Sequence, residues 1–232
     1  MKDKRSYDIV IWGASGFTGK LVCQYLMKNY GIGIGSTFRW AIAGRNHKKL
    51  ETIRNDLNLN DPEEMPILTG DSFDLKSLKA ITDKTKVILT TVGPYSLYGS
   101  ALVEACIRTQ THYCDLTGEV PFIHHTINKF HKSAEKAKVK IVHSCGFDSV
   151  PSDLGCFMLQ DRSICEFGTP LKRIRLYVRK IRGGCQRRYY CKHDRNYETS
   201  KKQRYKKDIE KSLFPLSKKY SKGSKTTSPE KN

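Results

Sequence analysis

Asp8-Ile9-Val10-Ile11-Trp12 is an apolar run of strand length ended by Gly13, and residues 17–30 then set Phe17, Leu21, Val22, Tyr25 and Leu26 at helical spacing. Arg39-Trp40-Ala41-Ile42-Ala43 predicts a second strand, followed by a polar helix carrying Leu50, Ile53 and Leu57. This is a βαβ unit. The alternation continues with a strand near Pro66–Thr69, a helix around Leu75–Ile81, a strand at Val87–Val92 and a helix at Ser100–Ile107. His112–Leu116, Pro121–Ala137 and Val139–His143 complete it as strand, helix and sixth strand. Short strands alternating with helices predict a Rossmann-type, doubly wound parallel sheet with right-handed crossovers.

After Gly146 the pattern changes. Ser149–Gln160 reads as a helix opened by Pro151. Lys172–Ile181 alternates Ile174, Leu176 and Val178 against Arg173, Arg175, Tyr177 and Arg179, which predicts a half-buried strand with one basic face. That strand would begin a second, truncated mixed-sheet domain. Beyond Gly184 periodicity is lost. The expected division is a dinucleotide-type Rossmann domain at 1–148, the start of a substrate domain at 149–183 and a basic, disordered tail at 184–232.

Composition changes the picture mainly through charge. The 232 residues are 38% hydrophobic and 28% charged, as in ordinary globular chains, but the net charge is +19. Residues 184–232 hold 15 Lys and Arg against five Asp and Glu, a net +10, and the first 183 hold 27 against 18, a net +9. No window has the roughly 18 to 20 apolar residues of a membrane span, and the N-terminal apolar run is too short and strand-like for a signal peptide, so the expected setting is cytoplasmic. The eight cysteines lie mostly in apolar runs without a paired Cys-x-x-Cys arrangement, which predicts reduced thiols.

The chemistry gathers at strand ends. Gly13-Ala14-Ser15-Gly16-Phe17-Thr18-Gly19 joins the first strand to the first helix. Gly13 permits the tight turn, Gly16 a close approach of backbone to a pyrophosphate, and Gly19 close packing of helix on sheet, while the helix N-terminus offers N–H groups and positive dipole. The second strand ends at Ala43-Gly44-Arg45-Asn46, where an acidic residue would serve the ribose hydroxyls of NAD. Arg45 instead suits a 2′-phosphate and can stack on adenine, so NADP is expected over NAD. Asp71, after the third strand, is placed either for the adenine edge or for capping the next helix. Gly93 and Pro94, at the end of the fourth strand, would let backbone lie against the nicotinamide ribose. Tyr95, Tyr98, Asp115, Glu119 and Ser144-Cys145-Gly146-Phe147-Asp148-Ser149 are expected to ring the same crevice, with Tyr95, Asp115 and Glu119 as candidate proton donors or substrate-orienting groups. Each of these three has an alternative as a cap or hydrogen-bond partner. Cys185, Cys191 and His193 lack a fourth ligand, and no metal is expected.

GASGFTG, AGRN, TVGPYSLYG, YCDLTGE and SCGFDSVPSDLG, in this order, resemble the saccharopine dehydrogenase-like oxidoreductases, which include saccharopine reductases and trans-acting enoyl reductases. The resemblance runs from about Tyr7 to Gly183. It implies an NADP-binding Rossmann domain that uses the glycine turn and Arg45, hydride transfer to an unidentified small-molecule or lipid-linked substrate, and Gly93, Pro94 and Tyr95 beside the nicotinamide. It further implies association with membranes, lipid droplets or mitochondria and glycolipid-type metabolism; a homodimer is also expected.

Where such proteins continue into a second half, this chain has Gly183-Gly184 and then the basic tail. Arg187–Cys191 can be encoded so that a shift of one base gives Glu-Gly-Thr-Ile, close to the family segment, so a shifted reading frame from about Cys185 is expected. The competing expectation is a dinucleotide-binding scaffold whose Arg/Lys/Tyr tail holds nucleic acid or an acidic membrane surface without catalysis, although no sequence-specific nucleic-acid contact is expected.

Overall fold

A computed structural model describes residues 5–180 except 34, 58 and 60. The expectations for the tail, including its disorder, its shifted frame and its nucleic-acid or membrane role, lie outside the described residues. The chain divides into two units, Met1–Arg175 and Leu176–Asn232.

The first unit is built on six parallel strands: β1 (Tyr7–Trp12), β2 (Trp40–Gly44), β3 (Ile67–Thr69), β4 (Thr85–Thr90), β5 (His112–Asp115) and β6 (Ile141–Val142). Their order across the sheet is β3-β2-β1-β4-β5-β6, the doubly wound arrangement in which the chain reverses direction between β1 and β4. Six helices connect or follow them: α1 (Phe17–Tyr30), α2 (His47–Asp56), α3 (Leu75–Thr82), α4 (Tyr95–Thr109), α5 (Val120–Ala137) and α6 (Val150–Phe167).

Strand alternation sorts the core into two layers. Ile11 and Ile42 point to the side of α1 and α2, where they meet Cys23, Leu26, Leu50 and Ile53. Val10, Trp12, Ala41, Ala43 and Ile88 point to the other side, where α3, α4 and α5 contribute Leu78, Leu102, Val103, Phe122 and Phe130. Central strands buried on both faces need apolar residues at every position, and β2 is buried throughout. At the amino edge of the sheet, the Arg5 guanidinium donates to the carbonyls of Thr85, Thr109 and Gln110 and to Thr111 Oγ1. It thereby ties the start of the chain to β4 and to the α4–β5 turn.

Helix α1 and the segment after α6 differ from the sequence expectation. Helix α1 has the expected span, yet Phe17, Leu21 and Tyr25 are exposed and the buried positions are Gly19, Cys23 and Leu26. Gly19 sets that rotation, because its Cα lies so close to the Gly13–Ala14 backbone that any Cβ there would stand 2.8 Å from Ala14 Cα. The opposite face must then look outward. Residues Lys172–Lys180 form no strand, and Leu176 and Val178, expected to face a sheet, are 65% and 67% exposed. A strand needs a partner ladder, and no described segment pairs with this one; Ile181 lies outside the described residues.

Candidate functional site

The carboxyl ends of β1 to β5 and the helix starts that follow them form one edge of the sheet. Gly13 takes a left-handed φ of +91°, and a side chain there would strike Val92. Its N–H donates to the Ala43 carbonyl at 2.9 Å and Thr91 Oγ1 donates to its carbonyl at 3.2 Å, so the turn is held by the strands on both sides. Gly16 N–H closes the turn onto Gly13 O at 2.9 Å. Ala14 is fully buried, whereas Ser15, Gly16, Phe17 and Thr18 are exposed. A Cβ on Gly16 would sit 3.2 Å from Gly13 O, so this surface is bare backbone lying tight on backbone.

The helix starts along this edge are not alike. Asn46 Oδ1 accepts from Lys49 N at 3.1 Å and caps α2. Asp74 accepts from Lys76 N at 2.9 Å and Ser77 N at 3.2 Å and caps α3. The first turn of α4 is capped by Glu119, which accepts from Tyr95 N at 2.7 Å and Ser96 N at 2.9 Å. Helix α1 begins at Gly16 with no side-chain cap and no acidic residue in its first turn. Its first N–H groups and positive dipole end face outward, and an anion is what such a terminus accommodates.

Arg45 follows β2, is exposed and has no hydrogen-bond or ion-pair partner among the described residues. Asp71 does not cap α3. Its Oδ1 accepts from Phe73 N at 2.8 Å, its own N–H donates to Ser77 Oγ at 3.0 Å, and Asp74 carries out the capping. Gly93 and Pro94 form the loop between β4 and α4, Pro94 standing at the helix start.

The three candidate proton donors are engaged within the protein. The Tyr95 ring is buried against Phe122 and its hydroxyl donates to Thr90 O at 3.2 Å. Both Glu119 oxygens cap α4. Asp115 is 2% exposed and accepts from four donors: Tyr113 Oη at 2.8 Å, Thr117 N at 3.0 Å, His143 Nδ1 at 2.7 Å and Ser144 N at 3.1 Å. Burial and the neighbouring Asp115 charge push the Tyr113 hydroxyl well above the usual phenol range. These residues therefore line the floor beneath the edge rather than its surface, whereas Phe147 of the expected ring is 88% exposed. A cavity of about 220 Å³ lies elsewhere, between α5 and β6 and lined by Thr126, Ile127, His131 and His143 among others. The glycine turn contributes nothing to it.

The cap alternative for Glu119 is the one found, though the sequence does not show that it serves α4, and sequence reading missed the Phe73–Tyr98 ring contact, whose centroids are 5.3 Å apart. The Asx turn around Asp71 was legible in principle, as Asp-Ser-Phe-Asp before a helix.

Strand order, the glycine turn and the uncapped α1 together define a dinucleotide-type Rossmann domain. Residues 9–142 match the model of the saccharopine dehydrogenase NADP binding domain, and the chain belongs to that family. It is 44% identical over 162 residues to a protein named trans-acting enoyl reductase from Mycobacterium leprae, a match covering 70% of this chain and 37% of that protein. It is 40% identical over 180 residues to a putative trans-acting enoyl reductase of Mycobacterium tuberculosis, covering 78% of this chain and 42% of the relative. The chain thus spans about two fifths of the length of the curated relatives it matches. Among solved structures, apo saccharopine dehydrogenase (L-Glu forming) from Saccharomyces cerevisiae shares the fold, with a TM-score of 0.53 and 18% identity over 67% of this chain and 31% of that one.

Proposed function

We propose that this chain binds NADP(H) along the edge just described and forms the cofactor-binding part of an oxidoreductase. The observation that carries the reading is the glycine turn packed tightly against the uncapped start of α1. Helices α2, α3 and α4 are capped by side chains; α5 and α6 are not, but α1 starts on bare backbone over Gly13, Gly16 and Gly19, where side chains would fill the space. A pyrophosphate fits that cradle, held by the N–H groups of the first turn of α1, with Ser15 and Thr18 exposed beside it.

Arg45 supplies an unpaired guanidinium where a 2′-phosphate would lie, which favours NADP over NAD. Asp71 stands on the adenine side, and Gly93 and Pro94 beside the nicotinamide. When bound, NADPH supplies a hydride; the protein's part is to position it and to exclude side reactions. Asp115, Glu119 and Tyr95 act in this reading as positioning groups. Asp115 fixes the Ser144–Cys145 loop, and Glu119 fixes the Gly93–Tyr95 corner. The relatives' name supports an enoyl group as hydride acceptor, and a lipid-linked form of it is the reading carried over from the sequence resemblance. We place the Rossmann domain at 1–148 and the start of the substrate-binding part at 149–183.

Calorimetry on the full chain tests the reading. We expect NADPH to bind at micromolar concentration, and Gly16→Asp to abolish binding by putting a charged side chain against the phosphates. Arg45→Ala should erase the preference for NADPH over NADH. A folded chain that binds neither dinucleotide would refute the proposal.

A further inference from the structure

Ser163 is the buried residue of α6, and its Oγ donates to Thr169 O at 2.7 Å, so the helix's own C-terminal turn covers it. On another face Val150, Leu154, Phe157, Met158 and Ile164 recur at helical spacing and stand open to solvent, Phe157 by 66% and Met158 by 68%. Phe167, 72% exposed, extends this band at the C-terminal end. Together the six side chains leave on the order of 700 Å² uncovered, against roughly 300–600 Å² for the largest apolar patch of an ordinary monomer. A stable protein pair buries about 800 Å² on each side, so the band alone supplies most of one half of such an interface.

The charges beside the band point to a second copy of this chain. Asp153 and Asp161 are exposed on α6, and the exposed Lys172, Arg173 and Arg175 follow the helix. Gln160 holds the start of that basic segment against α6: its Oε1 accepts from Leu171 N at 2.8 Å and its Nε2 donates to Leu171 O at 3.1 Å. Among the described residues none of these five charges has an ion-pair partner, whereas Arg162 is paired with Glu166 at 2.7 Å. A chain of net charge +19 repels its own kind over most of its surface. Here an acidic helix and a basic segment lie side by side, and each matches its opposite on another copy. An anionic membrane would instead meet two carboxylates on the same face as the apolar side chains.

We propose that α6 is a dimerisation helix, packing on α6 of a second copy about a twofold axis with the two helices antiparallel. Parallel packing would set Asp153 against Asp153 and Asp161 against Asp161, and would align the two helix dipoles. Antiparallel packing separates the like charges and brings the uncapped start of each helix toward the end of the other. Leu154 of one copy then lies against Ile164 of the other, with Phe157 and Met158 near the axis. This assembly does not depend on the dinucleotide reading.

Sedimentation velocity on the full chain, from about 1 to 100 μM, tests the proposal. We expect a species of twice the 26.6 kDa chain mass to form in the micromolar range. Leu154→Glu and Phe157→Glu each put a charge into the band at an exposed position, which spares the fold, as circular dichroism will check. Each should raise the dissociation constant about thirtyfold or more, the loss typical of a central interface residue. Orientation is read by oxidising an equal mixture of Leu154→Cys and Ile164→Cys, which should cross-link one variant to the other. Cross-links between the new thiols within each variant alone would mark parallel helices and overturn the antiparallel arrangement. A parent chain that stays monomeric throughout overturns the proposal, and so does a dimer that both glutamate variants form equally well, since another surface must then hold it. A monomer that binds vesicles of phosphatidylcholine and phosphatidylserine, and loses them on Phe157→Glu, would make the band a membrane contact and overturn it too.

Discussion

The Glu119 carboxylate holds Tyr95 by its backbone N–H at 2.7 Å, from a position 24 residues later in the chain. The second oxygen takes Ser96 N at 2.9 Å, so one side chain from the start of α5 caps the start of α4. The two helices are fitted to one another at the same place. Phe122, one turn into α5, packs on the Tyr95 ring with centroids 5.9 Å apart, and it fills the space that Gly99 leaves open on α4, where a Cβ would stand 2.6 Å from Phe122 Cε2. This joint sets the path of the Gly93–Pro94 loop. It also offsets the positive end of α4, whereas α1 starts with no side-chain cap and no acidic residue in its first turn.

Glu119→Ala should lower unfolding free energy by about 2 kcal/mol, the upper part of the range for losing a capping side chain, here one that accepts two charge-assisted bonds. Glu119→Gln keeps an acceptor and should lose about half as much. Urea unfolding measures both. Because the loop it holds flanks the proposed nicotinamide position, Glu119→Ala should also weaken reduced nicotinamide mononucleotide more than 2′,5′-ADP.

Gly19→Ala tests the helix–sheet contact. A Cβ at this position would press into the Gly13 carbonyl and stand 2.8 Å from Ala14 Cα, and backbone cannot swing aside as a side chain can. We expect a loss of about 2 kcal/mol or more in unfolding free energy, with NADPH binding lost alongside, since α1 must lift away from the turn. An unchanged urea midpoint would show that the helix accommodates the methyl group.

What was legible in the sequence follows from how local each cause is. Gly13, Gly16 and Gly19 sit within seven residues, and the strand before and helix after them announce their role; Arg45 stands one residue beyond its strand. The sheet could be read because buried parallel strands are apolar throughout. The start of α4 could not. Sequence pattern put it at Ser100, and the structure begins it at Tyr95 because the cap comes from Glu119. For the same reason Tyr95 reads as a candidate donor and is found buried against Phe122. Helix α6 runs seven residues beyond the expected Gln160, to Phe167, where Gly168 closes it in a left-handed conformation with φ of +68°. Leu154, Phe157 and Met158 on that helix are exposed, so the apolar spacing that announces a helix does not show what covers it.

Asp115→Asn should destabilise the domain by about 3 kcal/mol, as expected when one member of a buried, hydrogen-bonded charged group is neutralised. An amide has one oxygen to offer where the carboxylate serves Tyr113 Oη, His143 Nδ1, Thr117 N and Ser144 N, and its NH₂ would face donors. Hydrogen exchange locates the effect: protection should fall first at Thr117 and Ser144, whose N–H groups donate to the Asp115 carboxylate at 3.0 and 3.1 Å. Uniform loss of protection across the sheet would instead mark Asp115 as a general core residue.

The cysteines give a prediction in pH. Burial pushes the Cys23 thiol up to about 12, and burial with the neighbouring Cys145 and Asp115 pushes Cys114 up to about 12; Cys106, fully buried, is also raised. In the unfolded chain each would ionise near pH 8.5. Below that pH both states hold the proton and these groups add no pH dependence. As pH rises past it, the unfolded thiols ionise while the folded ones cannot, so the unfolded state gains and stability falls progressively toward pH 12. Substituting Cys23 by Ala should therefore flatten the alkaline limb of a stability-against-pH curve, at some cost in packing at every pH. The same burial governs reactivity, because the thiolate is the nucleophile. At neutral pH a maleimide, read by peptide mapping, should label the exposed Cys156 and Cys165 quickly and leave Cys23 and Cys106 untouched until the chain is unfolded. Fast labelling of Cys23 in the native protein would mean that α1 opens from the sheet on the timescale of the reaction, against the tight contact that Gly19 makes with the turn.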